Sequence, residues 1–261
     1  MDNIFQIFLC KEEYREENLR NQARYFENIK NSFLEFYPDY QYNLYTNVEA
    51  AKFVKSFSPE VRRAYWAFAP FAYRADLLRL CLVYEYGGWY FDISARPLFR
   101  YVPDKDFISR NDATTIYYNN NHAHIGHGNF ENFVFYAKPK SKFLEMCIEK
   151  ILANVRSRKH LPGLAVAGPD LISKVYADNK DYCRDNLIVA PFAHSTHAIV
   201  VDGKDFVYHK NREKLISGVE YLGFKGVNDY NYMASLGAIY SNPRNRPIIH
   251  KMTDIYEINY E

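Results

Sequence analysis

The segment AYRADLLRLCLVYEYGGWYFDISARPL, residues 72–98, carries most of the information about how this chain folds. In its first half apolar side chains recur at helical spacing, and Gly87 and Gly88 follow where a helix would end. The aromatic residues 89–91 then predict a short β-strand that ends at Asp92. Because open α/β sheets bind ligands at the carboxyl ends of their strands, Asp92 is a candidate ligand contact.

Asp76 and Arg79 form a second candidate feature within this segment. Three residues apart on a helix, they leave neighbouring points of one face, where a carboxylate and a guanidinium can grip hydroxyl groups. A simple exposed ion pair of this spacing would stabilise the helix by less than about 1 kcal/mol and would need no function. The functional interpretation is favoured because the glycine turn and Asp92 follow directly after this helix.

The residues on either side predict a βαβ unit followed by further alternating elements. A buried strand over 4–10, an amphipathic helix over 12–36 and a second strand over 40–45 are consistent with parallel pairing. Further helices are predicted for 48–57, from Pro59 onward, 141–155 and 171–176, and strands for 107–108, 114–118, 129–137 and 186–191. The segments 231–236 and 247–255 suggest further helix and strand. The polar run 119–129 is expected to be a loop.

Size and composition favour one α/β domain without nucleic-acid binding. The chain has 261 residues, a net charge of +2 and a pI near 8.2, which is too balanced to favour a nucleic-acid partner. Its four cysteines lack metal-type spacing, and three of them are predicted to be buried thiols, which fits a reducing cytoplasm, with disulfides as the alternative. No signal peptide or bilayer-spanning window is predicted, so we expect a cytoplasmic protein with at most a peripheral contact at the inner membrane.

Asp-Leu-Leu-Arg at 76–79, Tyr-Glu-Tyr-Gly-Gly at 84–88 and an aromatic strand ending in Asp92 together resemble the DXD-containing glycosyltransferases. The group most similar is that of the yeast initiating mannosyltransferases, bacterial capsule and lipopolysaccharide sugar transferases and clostridial glucosylating toxins. The resemblance implies a GT-A-type fold, a Rossmann-like mixed sheet flanked by helices, with a small helical or irregular C-terminal extension. It implies a single catalytic domain over 1–261, with a nucleotide-sugar half (1–118) and an acceptor half carrying the extension (119–261).

The same resemblance implies roles for particular residues. Asp76 and Arg79 would hold the donor sugar, and Asp92 would accept hydrogen bonds from sugar or ribose hydroxyls. Phe8 falls where the family stacks an aromatic ring on the nucleotide base, with an ordinary core phenylalanine as the alternative. The full set of implied donor-binding residues is Phe8, Asp76, Arg79, Tyr90, Asp92, Ser94, His209 and Lys210.

The second half of the chain contains two further features of interest. Gly168-Pro169 opens a predicted helix where the family has a Gly-Pro turn on the acceptor side. Asp170 is predicted to cap this helix, with a sugar hydroxyl contact as the alternative. The basic run 156–160 is predicted to be a solvated helix end, with contact to an acidic acceptor or a lipid headgroup as the alternative.

The metal site is where this chain departs from the family pattern. The family has Asp-x-Asp, whereas this chain has Asp92-Ile93-Ser94, and a hydroxyl is a weaker ligand for Mn²⁺ or Mg²⁺ than a carboxylate. The implied ligands are Asp92, Ser94 and His209. Three outcomes stay open: weak metal binding, replacement of the metal by the cationic side chains of Lys210, Arg96 and Arg212, or loss of catalysis. His122, His124 and His127 have near-metal spacing, but no carboxylate or cysteine lies near them in sequence, so a zinc site is not favoured.

The function implied by the resemblance is transfer of a sugar from a nucleotide sugar, with a UDP-sugar favoured, to a glycan or lipid-linked glycan. Retention of anomeric configuration and a role in bacterial capsule or lipopolysaccharide synthesis are implied in the same way. The alternative is a catalytically silent protein that binds sugar nucleotides or glycans on the same fold. A phosphosugar transferase is disfavoured because the chain has no glycine-rich phosphate loop.

Overall fold

The structure is a computed structural model of the chain. It describes residues 2–111, 114–119, 122–127, 129–158, 161, 163–193, 195–209 and 239–240, and at 114–119 and 122–127 it describes the backbone alone. The predicted C-terminal extension lies outside the described residues apart from Ile239 and Tyr240.

Helices and strands alternate along the described chain. The helices are α1 (Glu12–Asn21), α2 (Ala23–Phe36), α3 (Asn47–Phe57), α4 (Pro59–Ala67), α5 (Phe71–Tyr86), α6 (Lys142–Arg156), α7 (Pro169–Asp178) and α8 (Lys180–Asn186). The strands are β1 (Asn3–Ile7), β2 (Gln41–Tyr45), β3 (Gly88–Phe91), β4 (Arg96–Pro97), β5 (Asp106–Asn111), β6 (Thr114–Asn119), β7 (His122–His127), β8 (Phe130–Ala137), β9 (Leu187–Ala193), β10 (Ala198–Val201) and β11 (Lys204–Tyr208). None of the described helices is both long and apolar enough to cross a membrane.

Nine strands form one mixed sheet in the order β2-β1-β3-β8-β5-β9-β10-β11-β4. Strand β1 pairs in parallel with both β2 and β3, so the predicted parallel βαβ unit is confirmed. Strand β8 runs antiparallel between β3 and β5, and β9 is parallel to β5. With helices packed against this mixed sheet, the predicted α/β class, a mixed sheet flanked by helices, is confirmed.

Both faces of the sheet are covered, which explains the aromatic run in β3. The ring of Tyr90 packs into the cluster that includes α5, while Trp89 and Phe91 belong to the cluster on the opposite face. All three are almost fully buried. Because successive side chains of a strand point to opposite faces, a strand buried on both faces reads as continuously apolar.

The turn between α5 and β3 requires its two glycines. Gly87 has φ +69° and Gly88 has φ +110°, in the region that side-chain-bearing residues rarely adopt. A Cβ at Gly88 would lie 2.3 Å from the backbone oxygen of Asn3. The helix therefore ends against β1, and β3 starts at once beside that strand. This places Asp92 at the carboxyl edge of the parallel strands.

Several elements differ from the sequence-based expectations. The helix predicted over 12–36 is two helices that meet at Gln22. Residues 122–127, expected in a loop, form β7, which pairs antiparallel with β6 in a separate two-stranded sheet. Strand pairing uses backbone groups, so the polar composition of residues 122–127 did not indicate whether they form a strand or a loop. Helix α8 and strands β4, β10 and β11 were not predicted. The predicted elements over 231–236 and 247–255 lie outside the described residues.

The prediction of buried thiols is confirmed, since all four cysteines are buried and free: Cys10, Cys81, Cys147 and Cys183.

Candidate active site

The three residues singled out from the central segment meet in space. The Nη2 atom of Arg79 lies 3.1 Å from Oδ1 of Asp76, and its Nη1 atom lies 3.1 Å from Oδ1 of Asp92. One guanidinium thus bridges a helix carboxylate and the carboxylate that follows β3. The arrangement arises because α5 turns back along β3 through the glycine pair, which brings the strand end beside the helix face of Asp76 and Arg79.

Tyr90 contacts both Arg79 and Asp92 and so supports this bridge. Its hydroxyl donates to Oδ1 of Asp92 at 2.6 Å, and the guanidinium of Arg79 lies over its ring, 4.7 Å from the centroid. The residue is almost fully buried, so its contacts fix the positions of Asp92 and Arg79. The backbone of Asp92 is held as well, since its N–H donates to the carbonyl of Phe133 and its own carbonyl accepts from Gln6 Nε2 at 3.0 Å.

Asn132 is a site residue that the sequence analysis missed. Its Nδ2 donates to Oδ1 of Asp76 at 2.9 Å, and its carbonyl accepts from Nη1 of Arg79 at 2.8 Å. The residue lies where the pairing of β8 with β5 shifts, because Ile108 pairs with Phe135 whereas Ser109 already pairs with Glu131. This bulge leaves 132–134 without partners in β5. The available signal was a buried amide inside the apolar run FENFVFYA.

The start of α7 closes the other side of Asp76. A Cβ at Gly168 would lie 3.5 Å from Oδ2 of Asp76, in ordinary van der Waals contact, so the start of α7 lies directly beside the carboxylate. The predicted capping role of Asp170 is wrong, because α7 has no side-chain cap. Oδ1 of Asp170 instead accepts from Nδ2 of Asn129 at 3.0 Å. The site therefore has a polar border next to Asp76, which consists of Gly168, Asn129 and Asp170.

The three charged side chains of the site differ in how much of their surface is exposed to solvent. The side chains of Asp76 and Arg79 are 9% and 8% exposed, whereas that of Asp92 is 30% exposed. Burial raises the pKa of Asp76 to about 6, against the opposing effect of Arg79. Burial, with a smaller contribution from Asp92, raises the pKa of Glu131 to about 7. Asp92 is thus the accessible end of the network, and its Oδ2 has no hydrogen-bond partner among the described residues.

Of the remaining predicted residues, Phe8, Ser94 and His209 lie in the described part of the chain. Phe8 is 5% exposed and packs edge-to-face on Phe26, so stacking on a base would require these rings to separate, and that role stays a prediction. Ser94 is buried. The ring of His209 lies 4.9 Å from that of Phe133, next to the strand position that holds the Asp92 backbone. Lys210 and Arg212 lie outside the described residues, as do the side chains of His122, His124 and His127.

Arg96 is occupied within its own loop. Its Nη1 donates to the carbonyls of Ile93 and Ala95, and its guanidinium lies 5.2 Å from the ring centroid of Tyr25. These contacts fix the loop that follows Asp92. The basic run at the end of α6 begins as predicted, since Arg156 is exposed and pairs with Glu60 at 3.5 Å.

Comparison with known families agrees with this geometry. The family model described as "Glycosyltransferase sugar-binding region containing DXD motif" matches residues 23–114, which include Asp76, Arg79, Asp92 and Ser94. This part of the chain is similar to the sugar-binding region of the DXD-type glycosyltransferases. A solved structure titled "PaToxG Glycosyltransferase" is 16% identical to the chain with a TM-score of 0.44, and the match covers 70% of this chain and 71% of that chain. No curated protein matches the chain.

The DXD-type glycosyltransferases generally use a divalent cation, and the residues of this site can be tested for their fit to one. A hard cation needs several oxygen ligands. Here one oxygen of Asp92 is held by Arg79 and Tyr90, and the second motif position is a buried serine. In the part of the chain that the structure describes, no group of three or more His, Cys, Asp or Glu side chains is arranged to hold a metal ion. These residues therefore do not fit a metal site built from protein ligands alone.

Proposed function

We propose that this protein is a glycosyltransferase that moves a sugar from a nucleotide-sugar donor, with a UDP-sugar favoured, to a glycan or lipid-linked glycan. We further propose retention of the anomeric configuration and a role in bacterial capsule or lipopolysaccharide synthesis. In this proposal the chain is one catalytic domain, in which residues 1–118 bind the nucleotide sugar and residues 119–261 face the acceptor.

The observation that carries the proposal is the guanidinium bridge between two carboxylates that differ in exposure. Carboxylates accept hydrogen bonds from sugar hydroxyls, and a guanidinium donates to them in a fixed geometry. Asp92 offers a partly exposed carboxylate whose orientation is set by Arg79 and Tyr90. Holding the sugar in one orientation places the reacting carbon for attack, which is a large part of what a transferase must supply.

Asp76 and Arg79 would bind the hydroxyls of the donor sugar, and Asn132 would keep both side chains in place. The polar border of Gly168, Asn129 and Asp170 lies beside them and would face the incoming acceptor. Charge on the departing diphosphate must be neutralised by groups other than Arg79, because that guanidinium is already engaged by two carboxylates.

Donor hydrolysis and transfer, measured with a panel of UDP- and GDP-sugars, test this proposal. We expect turnover of at least one donor and a loss of about 100-fold in kcat/KM for Asp92→Asn. Asp178→Asn is the matched control, since Asp178 is an exposed carboxylate that pairs with Lys174 on α7. Equal activity of Asp92→Asn and the wild type would contradict the role of Asp92. The anomeric configuration of the product, read by NMR, tests retention separately.

A catalytically silent sugar-nucleotide or glycan-binding protein is the second candidate function. It is favoured by one observation, the serine at position 94 where the family motif has an aspartate. Calorimetry with the same donors separates the two candidates. Saturable donor binding without hydrolysis or transfer, in the presence and absence of Mn²⁺, would support the silent protein and overturn the transferase.

A further inference from the structure

Arg74 is a buried cation that the sugar site does not use. The residue lies in the first turns of α5, two positions before Asp76, and is 6% exposed. Its Nε donates to the carbonyl of Phe68 at 2.8 Å. Within the described residues, its Nη1 and Nη2 atoms donate no hydrogen bond, and no carboxylate pairs with it. Four N–H donors of the guanidinium therefore remain for another acceptor.

Three aromatic rings surround this guanidinium. Its central carbon lies 5.2 Å from the ring centroid of Trp66, 5.6 Å from that of Phe71 and 5.7 Å from that of Tyr65. Ring faces attract a cation but accept none of its hydrogen bonds in the directional way that an oxyanion does. Burial also lowers the pKa of Arg74, which reflects the same lack of a compensating negative charge. A buried charge of this kind is normally paired.

We propose that Arg74, in the cage formed by Tyr65, Trp66 and Phe71, is the binding site for an oxyanion, either a phosphate or a carboxylate. The planar fork of its unused N–H groups matches the paired oxygens of both groups. The site also lies at the N-terminal end of a sixteen-residue helix whose N-cap, Pro70, provides no side-chain cap. The helix dipole at that end favours an anion as well.

This site is separate from the donor-sugar residues. Two positions along an α-helix correspond to a rotation of about 200°, so Arg74 and Asp76 leave α5 on nearly opposite sides. Both nevertheless lie near the same end of the helix, at the edge of the sheet where Asp92 lies. An acidic group on the acceptor could thus bind at Arg74 while the donor sugar binds at Asp76. This assignment to the acceptor rests on the proposed function, whereas the oxyanion site itself does not.

Binding of inorganic phosphate to the full chain tests the site, followed by calorimetry and by the rise in melting temperature. We expect saturable binding in the wild type and at least a tenfold weaker Kd in Arg74→Met, which keeps much of the length of the side chain without its charge. Arg63→Met, at an exposed position of α4, is the matched control and should bind as the wild type does. Arg74→Lys keeps the charge without the fork and should fall between the two.

Binding measurements with further ligands and variants identify the source of the anion and define the results that would overturn the proposal. Glucose 6-phosphate or glucuronate binding more tightly than inorganic phosphate, with neutral glucose inactive, supports an acidic group on the acceptor. Equal binding of inorganic phosphate supports a free anion at the same residue. Asp76→Asn should lose sugar transfer yet keep phosphate binding, which separates this site from the proposed function. Absence of saturable binding in the wild type, or equal Kd values for the wild type and folded variants of Arg74, would overturn the proposal.

Discussion

Replacing Asn132 by aspartate should destabilise the protein by an amount that depends steeply on pH. The amide of Asn132 donates to Oδ1 of Asp76 at 2.9 Å in a buried setting. The substitution keeps the size and shape of the side chain and exchanges only this donor for a carboxyl group. Two ionised carboxylates at such a distance repel strongly, so the folded protein must keep a proton on one of them.

The size of the effect follows from the energy needed to hold that proton. An aspartate carboxyl ordinarily has a pKa of 3.8. Keeping it protonated at pH 7 lowers the free energy of unfolding by about 4 kcal/mol, since each pH unit corresponds to about 1.4 kcal/mol. At pH 5 the corresponding loss is less than about 2 kcal/mol. The protonated carboxyl can still donate to Asp76, so the lost amide hydrogen bond adds little.

The wild type should show a weaker dependence of the same sign. Asp76 has a pKa of about 6 in the folded protein, above its ordinary value of 3.8. The folded state therefore binds the extra proton between these values, and stability rises as the pH falls through about 6. Ionisation of this buried group lowers the free energy of unfolding at pH 7 by about 3 kcal/mol.

Urea unfolding at pH 5, 6 and 7, followed by tryptophan fluorescence, measures both effects. The free-energy difference between the wild type and Asn132→Asp should grow by about 1.4 kcal/mol per pH unit over this range. The control is Asn28→Asp, which introduces the same charge at an exposed position of α2 and should change stability by less than about 0.5 kcal/mol. A difference for Asn132→Asp that is small at pH 7 or constant with pH would refute the buried contact with Asp76.

Three further substitutions test other parts of the site. Tyr90→Phe removes the 2.6 Å bond to Asp92 but keeps the ring, so kcat/KM should fall about 10- to 100-fold with an unchanged circular dichroism spectrum; full activity would show that this bond does not position the carboxylate. Ser94→Asp restores the family motif and should improve the apparent Mn²⁺ affinity for donor hydrolysis at least tenfold, whereas an unchanged Mn²⁺ titration would contradict the view that the serine weakens metal binding. Gly88→Ala should lower the free energy of unfolding by at least about 3 kcal/mol because its Cβ would meet a backbone oxygen. Its control is Gly203→Ala, which has a positive φ but no atom within 4 Å of its Cβ and should lower the free energy of unfolding by only about 1–2 kcal/mol. Similar losses for the two glycine variants in urea unfolding would contradict the steric argument.

The part of the site that lies within one helix–turn–strand unit could be predicted from the sequence. The spacing of Asp76 and Arg79 on α5 and the position of Asp92 after β3 depend on local periodicity and on two glycines, both of which can be read directly. Once the turn brings β3 back along α5, the three side chains can reach each other. Their convergence therefore needed no information from distant parts of the chain.

Asn132 could not be predicted in the same way because its position depends on strand pairing. It lies on β8, fifty-six residues after Asp76 in the sequence, and reaches the site through a bulge opposite β5. Periodicity within β8 indicates a strand but does not reveal where its register shifts. Strand β7 was missed for a related reason, since backbone pairing of a polar segment leaves no alternation of apolar residues to detect.

Arg79 explains how this site can keep its shape with a serine at the second motif position. Its guanidinium is held by Asp76, by the carbonyl of Asn132 and by the ring of Tyr90, and it in turn fixes one oxygen of Asp92. Every one of these contacts is made by protein groups, so none of them depends on a cation or on the residue at position 94. Under the proposed function, the orientation of Asp92 toward a sugar and the binding of a metal would therefore be separable. A chain that retains the first can bind and orient a donor even where the second is weak, because the energy that orients Asp92 comes from buried charge-assisted hydrogen bonds rather than from the metal.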